Sequence, residues 1–175
     1  HESREIRLAT TSEERDQLWQ ARRLAVAAVG RLAPSYVTQD GVVPRTKLPD
    51  ILRYVTRVSK AFDIPIANIM HAGDGNLHPL LLFDERDPEQ LERVMQASAA
   101  ILQECARLGG TVTGEHGIGL EKIDLMPCMF TREDIQAMKD VRAAFNPHGL
   151  CNIDKLVPET VPLPGSQSAF DASAI

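Results

Sequence analysis

With 175 residues, 43% of them hydrophobic and 25% charged, the chain has the composition of one soluble globular domain with a core of its own. A net charge of −5 and the lack of a basic cluster argue against nucleic acid as a partner, and no apolar run is long enough for a membrane span. Cys105, Cys128 and Cys151 are widely spaced with no Cys-x-x-Cys, which argues against a disulfide framework or a thiolate zinc knuckle and fits a reducing compartment. The start, His1-Glu-Ser-Arg4, has no signal-peptide character and, lacking an initiator Met, suggests a processed or truncated beginning.

Glu5 to Thr10 is a short strand candidate. Thr11-Ser-Glu-Glu14 has the pattern of a capping box, in which a hydroxyl accepts an amide and a carboxylate reaches back. The helix it opens is expected to run to about Leu32, stopped by Pro34, with Leu18, Ala21, Ala25, Ala28, Val29 and Leu32 as its apolar face. Arg22 falls inside that arc and Arg23 well away from it. A guanidinium on an apolar face needs an anion or strong acceptors, so Arg22 is either a binder of a substrate carboxylate or a snorkelling, structurally paired residue.

Tyr36 to Val43 reads as extended, and Pro44 to Pro49 as a loop, with Pro49 suited to the first turn of a helix. That helix is predicted to bury Leu48, Ile51, Leu52, Val55, Val58 and Phe62. Ile64 to Met70 and Leu77 to Phe83 are strand-like and flank a glycine-rich turn. Asp87-Pro-Glu-Gln90 caps a long helix through Leu91, Val94, Met95, Ser98, Ile101, Leu102, Cys105 and Leu108, ended by Gly109 as its left-handed C′ residue. Gly110 to Thr113 is a short strand candidate. Thr131 to Phe145 is a last helix with Ile135, Met138, Val141, Arg142 and Phe145 on one side. Interleaved strands and helices give an α+β class, a largely antiparallel sheet with helices on one face. The imperfect alternation of Leu77, Pro79 and Leu81 leaves open which sheet face is covered. Residues 158–175, rich in Pro, Ser and Ala, are expected to be an extended or disordered tail after a domain over 1–157.

The chemistry gathers in two glycine-rich turns, His71-Ala-Gly-Asp-Gly-Asn-Leu-His78 and Gly114-Glu-His-Gly-Ile-Gly119. In the first, Gly73 and Gly75 permit positive φ and close backbone approach, and Asp74 or Asn76 could orient a histidine. A hairpin would bring His71 and His78 together, and Glu115 would complete a two-His-one-carboxylate set with open positions, which suits a catalytic divalent metal. His116 is then free to act as a general base near neutral pH; alternatively, Glu115 and His116 only stiffen their turn. His148, in Asn-Pro-His-Gly, reads as a surface turn residue. No nucleophile elbow, phosphate loop or dinucleotide fingerprint occurs.

On these motifs the chain resembles the C-terminal region of FAD-linked oxidases of the vanillyl-alcohol-oxidase type, most closely the glycolate oxidase branch. The matching segments are Leu18 to Arg23, Asp40 to Arg45, His71 to Pro79, Gly109 to Gly119 with Glu121 and Lys122, and Phe145 to Asn152. The resemblance implies a ferredoxin-like cap domain and hydride transfer from a 2-hydroxy acid, such as glycolate or D-lactate, to FAD. It implies that His71, His78 and Glu115 hold a divalent metal such as Zn, Mn or Fe, that His116 takes the hydroxyl proton, that Arg22 grips the carboxylate, and that Asn76 lines the site. It places Asn152 and Lys155 near the flavin, although Asn152-Ile-Asp-Lys155 departs from the Asn-Pro-Gly-Lys common in the family.

Nothing in the sequence resembles the family's flavin domain or the first strand of its cap, so the chain is expected to be a part of the enzyme, inactive alone. A flavin-domain-like subunit and an iron–sulfur subunit are implied partners, with a cytoplasmic location peripheral to the inner membrane through them. Two other readings of the His-His-Glu set stay open: a stand-alone metal-dependent hydrolase, and a non-enzymatic partner-binding module.

Overall fold

The computed structural model describes residues 6–152 and 154–159. Helix α1 (Ser12–Val29) opens with the expected capping box, Thr11 accepting the Glu14 amide while the Glu14 side chain returns to the Thr11 backbone. It ends at Val29 rather than Leu32, and its predicted apolar face is largely uncovered: Val29 alone is buried, while Leu18 and Leu32 are exposed. Amphipathic spacing shows that a helix has a face to bury, not what covers it. Of the strand expected over Glu5 to Thr10, Glu5 lies outside the described residues, and Ile6 to Thr10 are exposed and form no strand.

The sheet is built around one central strand. Strand β3 (Ile66–His71) and strand β4 (Asn76–Phe83) form the expected antiparallel hairpin. On the other side of β4 lie β1 (Ser35–Thr38) and β2 (Gly41–Val42), also antiparallel. Thr38 stands opposite Leu80 and Gly41 opposite Leu77, so the register continues unbroken and sets Gln39 opposite Pro79 and Asp40 opposite His78. Gln39 N–H donates to Pro79 O at 3.0 Å, but proline has no N–H to return the bond.

Every residue of β4 is buried. Leu77, Leu81 and Phe83 face the main core with Ile51, Val55 and Val58 of α2 (Leu48–Ala61) and Val94, Ile101 and Cys105 of α3 (Pro88–Arg107). On the opposite face, Leu80 and Leu82 pack on Val29 at the end of α1. A strand covered on both faces carries a continuous apolar run, which is why its alternation is imperfect in the sequence.

Pro49 sits in the first turn of α2, and Asp87 caps α3 by accepting from the Glu89 and Gln90 amides. Gly109, at φ 83°, ends α3: Gly110 N–H reaches Cys105 O and Gly109 N–H reaches Ala106 O, a Schellman pattern. The buried stripe of α3 is shifted from the expected one: Ala97, Ala100 and Glu104 are buried along with Val94, Ile101 and Cys105, while Leu91 and Met95 are exposed. Gly110 to Thr113 is not a strand; Thr111 forms an isolated bridge with Val42. The segment after it is held to α3 by Val112 and Leu125 against Leu102 and includes a short 3-10 helix, Ile123–Cys128, which the sequence reading lacked. Thr131 caps α4 (Arg132–Phe145) by a second capping box with Asp134. Of its predicted face only Ile135 is buried, with Val141 and Phe145 exposed. The expected tail after residue 158 falls mainly outside the described residues.

Candidate active site

Pairing across the hairpin decides which side chains share a face. His71 stands opposite Asn76, and His78 opposite Ile69. Side chains directly opposite one another project to the same side, and so do those two apart on a strand. His71, Asn76 and His78 therefore lie on one face of the sheet, the face that does not carry α2 and α3, and Asp40 joins them from the neighbouring strand. Gly75 makes the turn possible: its φ is 78°, and a Cβ there would come within 2.1 Å of Val43 O. Gly73 has ordinary φ and open space around it, so the close approach expected of both glycines is a property of Gly75 alone.

The turn after Thr113 brings Glu115 over this face. Its Oε1 lies 2.8 Å from His78 Nε2, 3.8 Å from His71 Nε2 and 3.9 Å from His116 Nε2. One ligand atom from each of His71, His78 and Glu115 falls within 4.8 Å of the others, a spread one cation can join. The His71 and His78 rings meet edge to face at 5.5 Å, and the His116 ring stacks on His78 at 5.2 Å. His78 is nearly buried, whereas His71, Glu115 and His116 are each about half exposed, so the cluster has an anchored floor and an accessible rim.

The surroundings of His78 fit a cation. Its Nδ1 lies 3.2 Å from Gln39 O, the carbonyl that Pro79 leaves without a ladder partner, and 4.0 Å from Asp40 Oδ1. Both neighbours are acceptors, so the N–H belongs on Nδ1. A neutral ring then turns the lone pair of Nε2 toward the Glu115 carboxylate 2.8 Å away. Two lone pairs at that distance require a proton or a metal ion between them or beside them.

Beneath the turn is a carboxylate that sequence reasoning missed. Asp40 has no exposed surface, and its Oδ2 accepts from Gly114 N–H at 2.8 Å, from Glu115 N–H and His116 N–H at 2.9 Å each, and from Thr113 Oγ1 at 2.9 Å. Burial alone would push this carboxyl up, but the four donors outweigh it and hold the group well below the usual carboxylate range. Lys122, also buried, places Nζ 3.6 Å from the same Oδ2. Burial pulls the Lys122 ammonium down from its ordinary value, and Asp40 opposes that pull. The available signals were its place at the head of the matching segment Asp40 to Arg45 and an Asp within an extended stretch, where such residues are disfavoured without a polar role. Gly114 is needed for closeness here: a Cβ would meet Val42 Cγ2 at 2.7 Å and Asp40 Oδ1 at 2.9 Å.

Other predicted residues stand farther from this cluster. Arg22 is exposed on α1, and among the described residues no hydrogen bond or ion pair joins it to the histidines. It precedes Val29, which packs on the site-bearing face, by seven residues, or about 10 Å of helix. Asn76 is buried on that face with its Oδ1 lacking a hydrogen-bond partner. Asn152 and Lys155 are exposed; their main-chain carbonyls accept from Arg142, and Leu156 N–H donates to Gly119 O, tying the segment to the end of the second glycine-rich turn. His148 is exposed in its turn. Among the described residues no helix is long and apolar enough to cross a membrane.

The chain is 44% identical over 154 residues to glycolate oxidase subunit GlcD of Escherichia coli K12, covering 88% of this chain and 31% of the relative. It is 40% identical over 151 residues to glycolate oxidase subunit GlcD of Bacillus subtilis, covering 86% and 32%. It is 28% identical over 163 residues to the mitochondrial D-lactate dehydrogenase [cytochrome] of Arabidopsis thaliana, covering 92% and 29%. The chain thus spans about a third of the length of the curated relatives it matches. The model of FAD linked oxidases, C-terminal domain, matches residues 1–156, and the chain belongs to that family.

Proposed function

We propose that residues 1–157 are the substrate- and metal-binding domain of an FAD-dependent 2-hydroxy-acid dehydrogenase of the glycolate or D-lactate type. The carrying observation is the convergence of His71, His78 and Glu115 on one face of the sheet with His116 stacked beside them. Relatives named for glycolate oxidation and D-lactate dehydrogenation support the substrate class.

His71, His78 and Glu115 would hold a divalent ion such as Zn, Mn or Fe, for which the acceptor-lined Nδ1 of His78 and its Nε2 facing a carboxylate are suited. A bound divalent ion polarises the substrate hydroxyl oxygen and lowers its pKa. FAD, carried by the intact protein, supplies the hydride acceptor.

The chain's own residues divide the remaining work. His116, half exposed at the rim, takes the hydroxyl proton on its imidazole. His78, anchored by Gln39 O and stacked under His116, fixes where that base sits. Asn76 lines the floor, its unpartnered Oδ1 available to a donor on the substrate. Arg22 binds the substrate carboxylate through its planar fork once α1 is positioned in the intact protein. Asn152 and Lys155 lie on the flavin side, and no chemical step is assigned to them. The word subunit in the names of the bacterial relatives supports partner subunits. We take one of them to be flavin-domain-like and one iron–sulfur, with a cytoplasmic enzyme held peripherally at the inner membrane through them.

The test is elemental analysis of the full-length protein and its His78→Ala variant, alongside oxidation of glycolate and D-lactate. About one divalent ion per chain is expected in the wild type and loss of it in the variant. Equal metal content in the two proteins would overturn the metal assignment.

A further inference from the structure

We infer that Asp40 is a positioning residue, a buried carboxylate whose hydrogen bonds to the main chain of Gly114, Glu115 and His116 set where the Glu115 carboxylate and His116 ring stand over the histidines. The inference rests on the site reading above, and its first step, the ordering of the turn, stands without a metal.

Glu115 and His116 are exposed residues on a turn. Their side chains meet His78, Glu115 Oε1 at 2.8 Å and the His116 ring stacked at 5.2 Å, but the main chain of the turn is held from below. Their amides, and that of Gly114, instead point inward to a single oxygen, Asp40 Oδ2, at 2.8 to 2.9 Å. Thr113 Oγ1 donates to the same atom and accepts from Gly117 N–H at 2.9 Å, so the turn is gripped from Thr113 through Gly117. Gly114 N–H also reaches Asp40 O at 3.2 Å. Successive amides aimed at one anion form a nest, and here the anion belongs to the protein itself.

Asp40 is held on the other side by its place in the sheet. The register of β1 and β2 sets it opposite His78, and its Oδ1 lies 4.0 Å from His78 Nδ1. One buried residue therefore touches the strand that carries one candidate ligand and the turn that carries another. Lys122 supplies the counter-charge, with Nζ 3.6 Å from Oδ2 and 3.5 Å from Asp40 O. A buried charge without a partner is costly, so a change at Asp40 alone mixes lost positioning with an orphaned Lys122. Changing both residues separates the two effects.

The experiment compares the full-length wild type with Asp40→Asn, Lys122→Met and the Asp40→Asn/Lys122→Met pair. It follows melting temperature, amide hydrogen exchange at residues 114–116, and binding of Zn or Mn alone. In the wild type, the Glu115 and His116 amides are expected to be protected although the residues are exposed. Asp40→Asn should lower the melting temperature, and the paired variant should recover most of that loss. In the paired variant, exchange at Glu115 and His116 should still rise, and the metal Kd should rise by at least about tenfold, the range seen when a residue that orients a metal ligand is removed. A purely structural role predicts that exchange and Kd recover together with the melting temperature, and that result would overturn the inference. Unprotected wild-type amides would overturn it even if no variant folds. A wild type that binds neither metal would sink the metal reading of the site, while exchange would still decide whether Asp40 positions the turn.

Discussion

Two glycines in one motif give a matched test of how the hairpin presents its histidines. At Gly75 the chain has φ 78°, a new Cβ would sit 2.1 Å from Val43 O, and the Val43 amide donates to Gly75 O at 3.0 Å. Gly75→Ala forces a side chain into a left-handed conformation, worth about 1–2 kcal/mol. It also pushes apart the strands that share the Val43 bond, worth about 1 kcal/mol. The sum is about 2–3 kcal/mol, and for a chain of this size each kcal/mol moves the melting temperature by about 2–4 °C. A drop on the order of 4–12 °C is therefore expected, read by thermal unfolding and checked by urea denaturation. Gly73→Ala, at a position with ordinary φ and no atom within 4 Å, should change stability by less than about 0.5 kcal/mol. Comparable losses in the two variants would refute the assignment of strain to Gly75. A Gly75→Ala protein as stable as wild type would show that β2 is free to move away from β4 at no cost.

The full-length enzyme carrying Arg22→Lys should lose at least about tenfold in kcat/KM for a 2-hydroxy acid, about 1.4 kcal/mol, because lysine keeps the charge but not the fork. Arg23→Lys should do little, and an Arg22→Lys enzyme with full efficiency would remove the carboxylate role. The thiols should separate by burial: Cys105, fully buried with its thiol pushed up to about 12, reacts with a thiol reagent only on unfolding, whereas exposed Cys151 reacts in the native state. Labelling of Cys105 at the rate of Cys151 would contradict its place in the core. Cys128 is exposed but its thiol is also pushed up by burial, so its native-state labelling should be slower than that of Cys151.

What the sequence made legible was local. Both Thr11-Glu14 and Asp87-Gln90 declare a helix start within four residues, and the β3–β4 hairpin declares itself by two apolar runs around a glycine-rich turn. The candidate ligands were legible for the same reason, since His71 and His78 share one motif and Glu115 and His116 another. What was hidden depends on pairing across long separations. The covering of a helix face cannot be read from its own spacing, and α1 shows this by leaving Leu18 and Leu32 exposed. Thr111 meets Val42 through a single bridge, too little contact to impose the strand that its neighbours suggested. The grip of Asp40 on the second turn joins residues more than seventy positions apart.

Pro79 shows how such a hidden relation can still leave a mark in the sequence. A proline in the middle of a central strand is a local fault, because it removes one hydrogen bond from the ladder. It reads along the chain as a flaw in the alternation of Leu77 and Leu81. Once β1 and β2 are in register, the same fault has a use: Gln39 receives no N–H from β4, and its carbonyl faces Nδ1 of His78 instead. The missing bond thereby helps to fix which nitrogen of His78 turns toward Glu115. A local rule broken beside a candidate metal ligand is the kind of cost that a functional site explains better than a packing requirement does.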